Sequence, residues 1–167
     1  MSKLPSLILI ILLLIGSDFN HPNLLLAQSK NLQHVINSAD FLVDNINIYS
    51  NPQKYLNKII ATQGRYDSRT LWENNETRFL VHGSNNGYPA IFIVELDHPL
   101  PSPKVISDNV QTLSNDVHIR VFGRFVRIDE IIEHDGSTKK LPVLEAIAIY
   151  FFSDQTFAKP VWVNRLY

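Results

Sequence analysis

The chain of 167 residues contains no cysteine. No disulfide can brace it, no zinc-thiolate site can form, and no lipid can be attached through a thiol. It also lacks an apolar run long enough to cross a bilayer as a helix, which takes about 20 residues. Leu7 to Ile15 are aliphatic without interruption, but Gly16, Ser17 and Asp18 end the run, and Asn20, His21 and Pro22 follow. Charge of one sign is scarce as well: the net charge is −1. That excludes the globally basic footprint of a protein that grips nucleic acid mainly through phosphates, and leaves asymmetry between faces open. The six glycines are dispersed, so there is no phosphate-cradling loop, and no Gly-x-Ser-x-Gly elbow presents a serine nucleophile.

What the N-terminus does contain is one basic side chain, Lys3, ahead of the short aliphatic run. This is the order of a secretory signal. Ala27 is the small residue best suited to the position before cleavage, although Leu25 two residues earlier is large; Ser17 is a second candidate, and an uncleaved N-terminal tether is the alternative. The expected organisation is a signal over 1–27, a helical segment over 28–50, one β-rich domain over 51–155 and a tail over 156–167. A cysteine-free exported chain suits a bacterial envelope, either periplasmic or extracellular.

Hydrophobic periodicity divides the remainder. Leu32, Val35, Ile36, Ala39, Phe41, Leu42, Val43 and Ile46 fall near helical spacing, predicting a helix over Lys30 to Ile48 that breaks near Asn37 and Ser38. Asn51 and Pro52 then supply a cap and a first helical position. Five segments rich in branched and aromatic residues follow: Lys58 to Tyr66, Arg78 to Gly83, Pro89 to Leu96, Val117 to Ile128 and Leu141 to Phe152. Each has the character of a strand. Asn74 to Glu76, Ser84 to Gly87 and His134 to Ser137 separate them with turn-forming residues, the second as a tight hairpin. Pro99, Pro101 and Pro103 forbid regular structure at the start of the 97–114 segment, whose later part has a helical stripe at Ile106, Val110 and Leu113.

Ile60-x-Thr62-x-Gly64-Arg65-Tyr66 and Ile119-x-Val121-x-Gly123-Arg124-Phe125 share one layout. A glycine inside a strand marks a bulge, a bend or a close backbone approach, and two such strands suit a coiled small barrel. With Asn51-Pro52-x-x-Tyr55-x-x-Lys58-x-Ile60-x-x-x-Gly64, the Val117 to Gly123 strand and the closing Leu141 to Phe152 strand, the chain resembles the exported OB-fold proteins of bacteria, including those described as tRNA-anticodon-binding-domain-like. The resemblance covers Asn51 to Phe152 and implies a five-stranded barrel whose first strand bends at its glycine. Asn57 stands where that group often has glycine, and would take the same left-handed turn. The fold expected is therefore mainly β with an N-terminal helix, a small five-stranded OB-like barrel; another small barrel or an α+β sheet are the alternatives.

If Val117, Ile119 and Val121 point inward, then His118, Arg120, Phe122 and Arg124 point outward together. The repeated layout places Arg65 on the matching face of the first strand, and Arg78 joins them if Phe79 and Val81 are buried. Such a face would hold phosphate or carboxylate groups and stack a ring on Phe122; the plainer reading is a solvated face with pairing to Glu95 or Glu145. The loop from Asp129 to Gly136 is rich in oxygens but lacks the spacing of a calcium loop. His21, His34, His82 and His98 show no ligand spacing. No cofactor or metal is implied. The tail from Lys159 to Tyr167 either packs on the barrel or offers a partner-binding strand, an exposed Trp162 and Tyr167 favouring the latter. Put first, then, is an exported non-catalytic envelope module binding a protein partner or small ligand. The alternatives are nucleic-acid or polyanion binding through the basic-aromatic face, and a hydrolase of unknown type using Glu133 and His134.

Overall fold

Polar side chains punctuate the approach to the first strand. In the computed structural model, which describes residues 22–68, 77–85, 87–100, 117–133, 135–155, 157 and 159–167 (backbone alone for 22–29 and 85), helix α1 spans Pro22–Ser38. The expected break near Ser38 is there, but the helix begins at Pro22 and residues 39–44, expected as helix, are not helical. The chain then lies along the first strand, β1 (Ile59–Asp67), with the Asp40 N–H donating to Ile59 O and Asp40 O accepting from Ala61 N. Asp44 caps α2 (Asn45–Ser50) reciprocally: its carboxylate accepts from the Asn47 N–H at 2.8 Å while Asn47 Oδ1 accepts from the Asp44 N–H at 3.3 Å. Asn51 caps the single turn α3 (Pro52–Tyr55), with proline in its first turn. Asn57 then turns left-handed at φ 63°, as its place in the resembling motif implies.

All five expected strands are present: β1 (Ile59–Asp67), β2 (Arg78–Asn85), β3 (Tyr88–Glu95), β4 (His118–Ile132) and β5 (Thr138–Phe151). β1 pairs antiparallel with both β2 and β4, β2 with β3, and β4 with β5, while β3 and β5 close the ring in parallel. The ring order β1-β2-β3-β5-β4 makes this a closed five-stranded OB-type barrel. The two halves of the sequence echo turn out to be each other's partners. Ile60 faces Gly123, Thr62 faces Val121, and Gly64 faces Ile119.

Alternate side chains of these strands fill the barrel in two clusters. Phe79, Val81, Val94, Ile119, Val121 and Ile149 form one. Ile60, Phe92, Phe125 and Leu144 form the other, joined by Val43, Ile48 and Tyr55 from the segment around α2 and α3. Each fully buried side chain of this size contributes about 1.5–3 kcal/mol. A third cluster lies on the outside of the wall, where Ile36 of α1 covers Ala61, Phe122, Ala148 and Tyr150. Among the described residues no helix is long and apolar enough to cross a membrane.

Three features differ from the sequence expectation or resolve it. β4 and β5 run past their expected ends into a long hairpin, because Ile131 packs with Leu80, Ile93, Leu141 and Val143 although polar residues surround it in sequence. Gly136, at φ 82°, forms the hairpin turn. The tail packs on the barrel: Trp162–Val163 is a short strand β6 on β5, and Trp162 is 4% exposed, stacked 4.9 Å from the His98 ring. Residues 1–21 of the expected 1–27 signal, the Asn74 to Glu76 turn and the helical stripe at Ile106 to Leu113 lie outside the described residues, while residues 22–27 of that signal begin helix α1.

β1 and β2 meet at two glycines. A Cβ on Gly64 would stand 2.2 Å from His82 O, and one on Gly83 would stand 2.0 Å from Gln63 O. Both are backbone contacts that no rotamer change relieves. Gly64→Ala and Gly83→Ala are each expected to lose about 1–3 kcal/mol or more by over-packing, whereas Gly87→Ala, open on every side but at φ 82°, loses about 1–2 kcal/mol from its backbone alone. Urea midpoints at constant m-value test the ranking, and equal losses at all three positions would contradict it.

Candidate functional site

The β1 ladder sets the outer face of the barrel. Arg65 lies opposite His82 of β2 on one side and His118 of β4 on the other, so three nitrogen-rich side chains cross three strands in one row. Gln63 lies opposite Arg120 in the next row of the same face. Directly opposed residues have Cβ atoms about 4.5–5.5 Å apart. Where β5 ends, the Phe152 N–H donates to His118 O at 3.0 Å, and the Phe152 ring lies 6.3 Å from the imidazole of His118 while remaining 38% exposed.

Arg120 is the anomaly of this face. It is 8% exposed, yet no carboxylate among the described residues pairs with it. One terminal nitrogen, Nη2, donates to Gln63 Oε1 at 3.0 Å; Nε is buried and has no hydrogen-bond partner among the described residues. Its guanidinium carbon lies 5.2 Å from the centroid of Phe152 and 4.9 Å from that of Phe157. Cation–π attraction of about 0.5–2 kcal/mol per ring offsets part of the desolvation. Burial alone pulls its pKa below the ordinary arginine value, and the group stays charged. A buried cation is ordinarily matched by an anion or by a full set of hydrogen-bond acceptors.

Phe157 itself is held against its backbone preference. Its φ is 53°, a left-handed conformation that a bulky residue adopts at a cost of about 1–2 kcal/mol. Its ring meets Phe122 at 5.3 Å and Tyr150 at 5.5 Å, both edge-on. Burial, with Asp154 nearby, pushes the Tyr150 hydroxyl up to about 12, so it stays protonated.

The six candidates from sequence do not form one site. Arg65, His118 and Arg120 come together. Phe122 does point out of the barrel, but it is 0% exposed beneath Ile36, Phe41 and Phe157, so it is no open stacking platform; the apolar wall formed by Ala61, Phe122, Ala148 and Tyr150 required a cover and α1 supplies it. Arg78 belongs to a different set. Its Nη2 pairs with Asp129, and its Nε lies 3.2 Å from Glu95 Oε1, near enough for an ion pair though not aligned as a hydrogen bond. Arg127 completes the square through Glu95 at 2.7 Å and Asp129 at 2.8 Å. Two carboxylates there balance two guanidiniums. Arg124, displaced by register shifts at Phe122/Gly123 and Phe125/Arg127, faces Ile59 and Glu145 and donates to Tyr167 OH at 3.3 Å. Covered Phe122 separates it from Arg120.

Sequence reasoning missed Gln63, Phe152 and Phe157. Gln63 carried a usable signal, since it alternates with Thr62 and Gly64 on a recognised strand. Phe152 and Phe157 lie where the strand pattern ends and had none. In the acidic loop, Glu133 is engaged by Lys139 at 3.5 Å and by Ser137, and His134 lies outside the described residues. Among the described residues no group of three or more His, Asp or Glu is placed to hold a metal ion.

No family model matches the chain, and no curated protein matches it in sequence. Among solved structures, the mitochondrial single-stranded DNA-binding protein of S. cerevisiae is 12% identical, with 57% of this chain and 94% of that chain covered and a TM-score of 0.35. The small single-stranded DNA-binding protein of Streptomyces coelicolor is 13% identical, with 56% and 92% covered and a TM-score of 0.32. Both are named for single-stranded DNA and not for the protein partner or small ligand that the sequence put first, which is not proposed below. In the tail, the Trp162 that would have met a partner is buried, so the reading of the tail as a partner-binding strand is corrected. What this chain binds is argued below from its own side chains.

Within the row, His82 Nε2 lies 3.6 Å from Asp67 Oδ2. Burial lowers the pKa of His82 below 6.5, and the attraction of Asp67 offsets only part of that shift. A lowered folded value means that the unfolded chain takes up the proton first, so stability is lost as pH falls from about 6.5 through the folded value. His82→Gln is expected to flatten that part of the profile of unfolding free energy against pH. An unchanged slope between pH values of about 7.5 and 5 would refute the assignment.

Proposed function

We propose that this chain is a non-catalytic binder of single-stranded nucleic acid, using the outer face of β1 and β4. Arg120 and Arg65 take backbone phosphates, His118 adds a third contact through a ring N–H, and a base stacks on Phe152. The observation that carries the reading is Arg120: a guanidinium 8% exposed, with Nε unpartnered and no carboxylate beside it among the described residues. A planar fork with unused donors suits an oxyanion, and phosphate most of all. The exposed ring of Phe152 beside it adds what phosphate alone does not need, a surface for an unstacked base. Duplexes keep their bases stacked and would gain nothing there.

The near-neutral chain sets the expected strength of the salt effect. With two to three phosphates neutralised, the logarithm of affinity for a single strand should fall against log salt with a slope of about −1.5 to −2. Fluorescence anisotropy with labelled oligothymidylate measures it. Arg65→Ala and Arg120→Met are each expected to weaken binding about 10- to 100-fold. Arg120→Met should leave the melting temperature unchanged or raised, since it removes an uncompensated buried charge. Phe152→Ala should weaken oligothymidylate binding and leave binding of inorganic polyphosphate as it was. Binding that ignores the arginine substitutions, or no binding at about 50 mM salt, would sink the reading.

Export is part of the proposal, resting on Lys3 and the Leu7 to Ile15 run. Residues 1–29 fused to alkaline phosphatase, which becomes active only outside the bacterial cytoplasm, should give active enzyme, and a fusion active only after lysis and oxidation would refute export.

A further inference from the structure

We infer that Phe157 occupies the position of a second nucleobase and leaves it when the strand binds. The inference rests on the proposed nucleic-acid reading and adds to it a self-covering contact. Three observations made independently meet at this ring. Phe157 sits at φ 53°, where glycine or asparagine would be at ease and phenylalanine is not. It closes on Phe122 and Tyr150, the two aromatic side chains of the outer wall, at 5.3 and 5.5 Å. It also lies 4.9 Å from the guanidinium of Arg120, whose Nε is buried and has no hydrogen-bond partner among the described residues.

Each fact is ordinary alone; together they describe a well that is filled by a residue under strain. Taking Phe157 out would relax its backbone and open Arg120 Nε to a phosphate oxygen. It would also open those parts of the Phe122 and Tyr150 rings that Phe157 covers and Ile36 and Phe41 do not, and a flat base would stack there. Phe122 is then a stacking surface after all, but only in the bound state. Nothing else among the described residues does for Arg120 what an anion would, so the closed state is the one in which the cation is least well satisfied.

The test removes the ring without removing the backbone geometry. Phe157→Gly and Phe157→Asn both tolerate a positive φ. If the closed form holds about nine-tenths of the free protein, each should bind oligothymidylate about tenfold more tightly than wild type, because the competent fraction is no longer limiting. Wild type that binds while both folded variants bind equally or more weakly would overturn the inference and leave the proposed function standing. Wild type that binds no oligonucleotide would remove both. A second measurement needs no variant: in wild-type protein, nuclear Overhauser contacts between the Phe157 and Phe122 rings should vanish on saturation with oligothymidylate. Their persistence in the saturated complex would also overturn it.

Discussion

The two halves of the barrel are joined by the ladder between β1 and β4, two strands far apart in sequence. Their register is fixed by shape: each strand offers an isoleucine where the other offers a glycine, Ile60 against Gly123 and Gly64 against Ile119. A slip by one residue would turn Ile119 and Val121 out of the core and bring Arg120 in, exchanging apolar contacts for a buried charge. The same register that builds the core therefore decides which polar side chains meet outside. Arg65 stands beside His118, and Arg120 beside Gln63, because Ile60 and Thr62 point the other way.

The outer surface then divides into regions under different electrostatic rules. At one edge Arg78, Glu95, Arg127 and Asp129 form a closed square in which charge is balanced. Asp129 is pulled below its ordinary pKa there: burial alone would raise it, and Arg127 and Arg78 outweigh that. The square is self-sufficient, and it links β2 and β3 to the base of the β4–β5 hairpin. Around Arg120 the rule is reversed. The charge is buried with rings for company, and one amide oxygen is the acceptor it has among the described residues.

Much of this was legible in sequence, and the reasons are local. Strand-forming runs bounded by Asn, Gly and Pro gave five strands because each run carries its own period. The break after α1 was expected near Asn37 and Ser38, although the apolar spacing continued to Ile46, and Asn57 was a recognisable substitute for glycine. The site was only partly legible. Alternation along β4 correctly put Arg120 and Phe122 on the same side, yet alternation does not say what lies over a side. The cover over Phe122 comes from Ile36 and Phe157, whose contacts follow from the folded path of the chain and not from any short pattern. Arg78 was drawn into the wrong group for a similar reason: its partner Asp129 is on a strand extension that looked like loop.

Arg120 has a consequence for how such a sequence drifts. A position buried on an apolar wall is one where random substitution toward methionine or leucine is tolerated and even rewarded by the fold, since the folded state gains by losing the charge. Stability thus exerts a steady pressure against arginine here, opposite in sign to its pressure on Ile119 or Val121 one residue away. If the face binds as proposed, related chains that kept the barrel but gave up that binding should shed this arginine early, while their core residues stay. The position would then act as a marker, separating descendants that still use the face from those that have retained only its architecture.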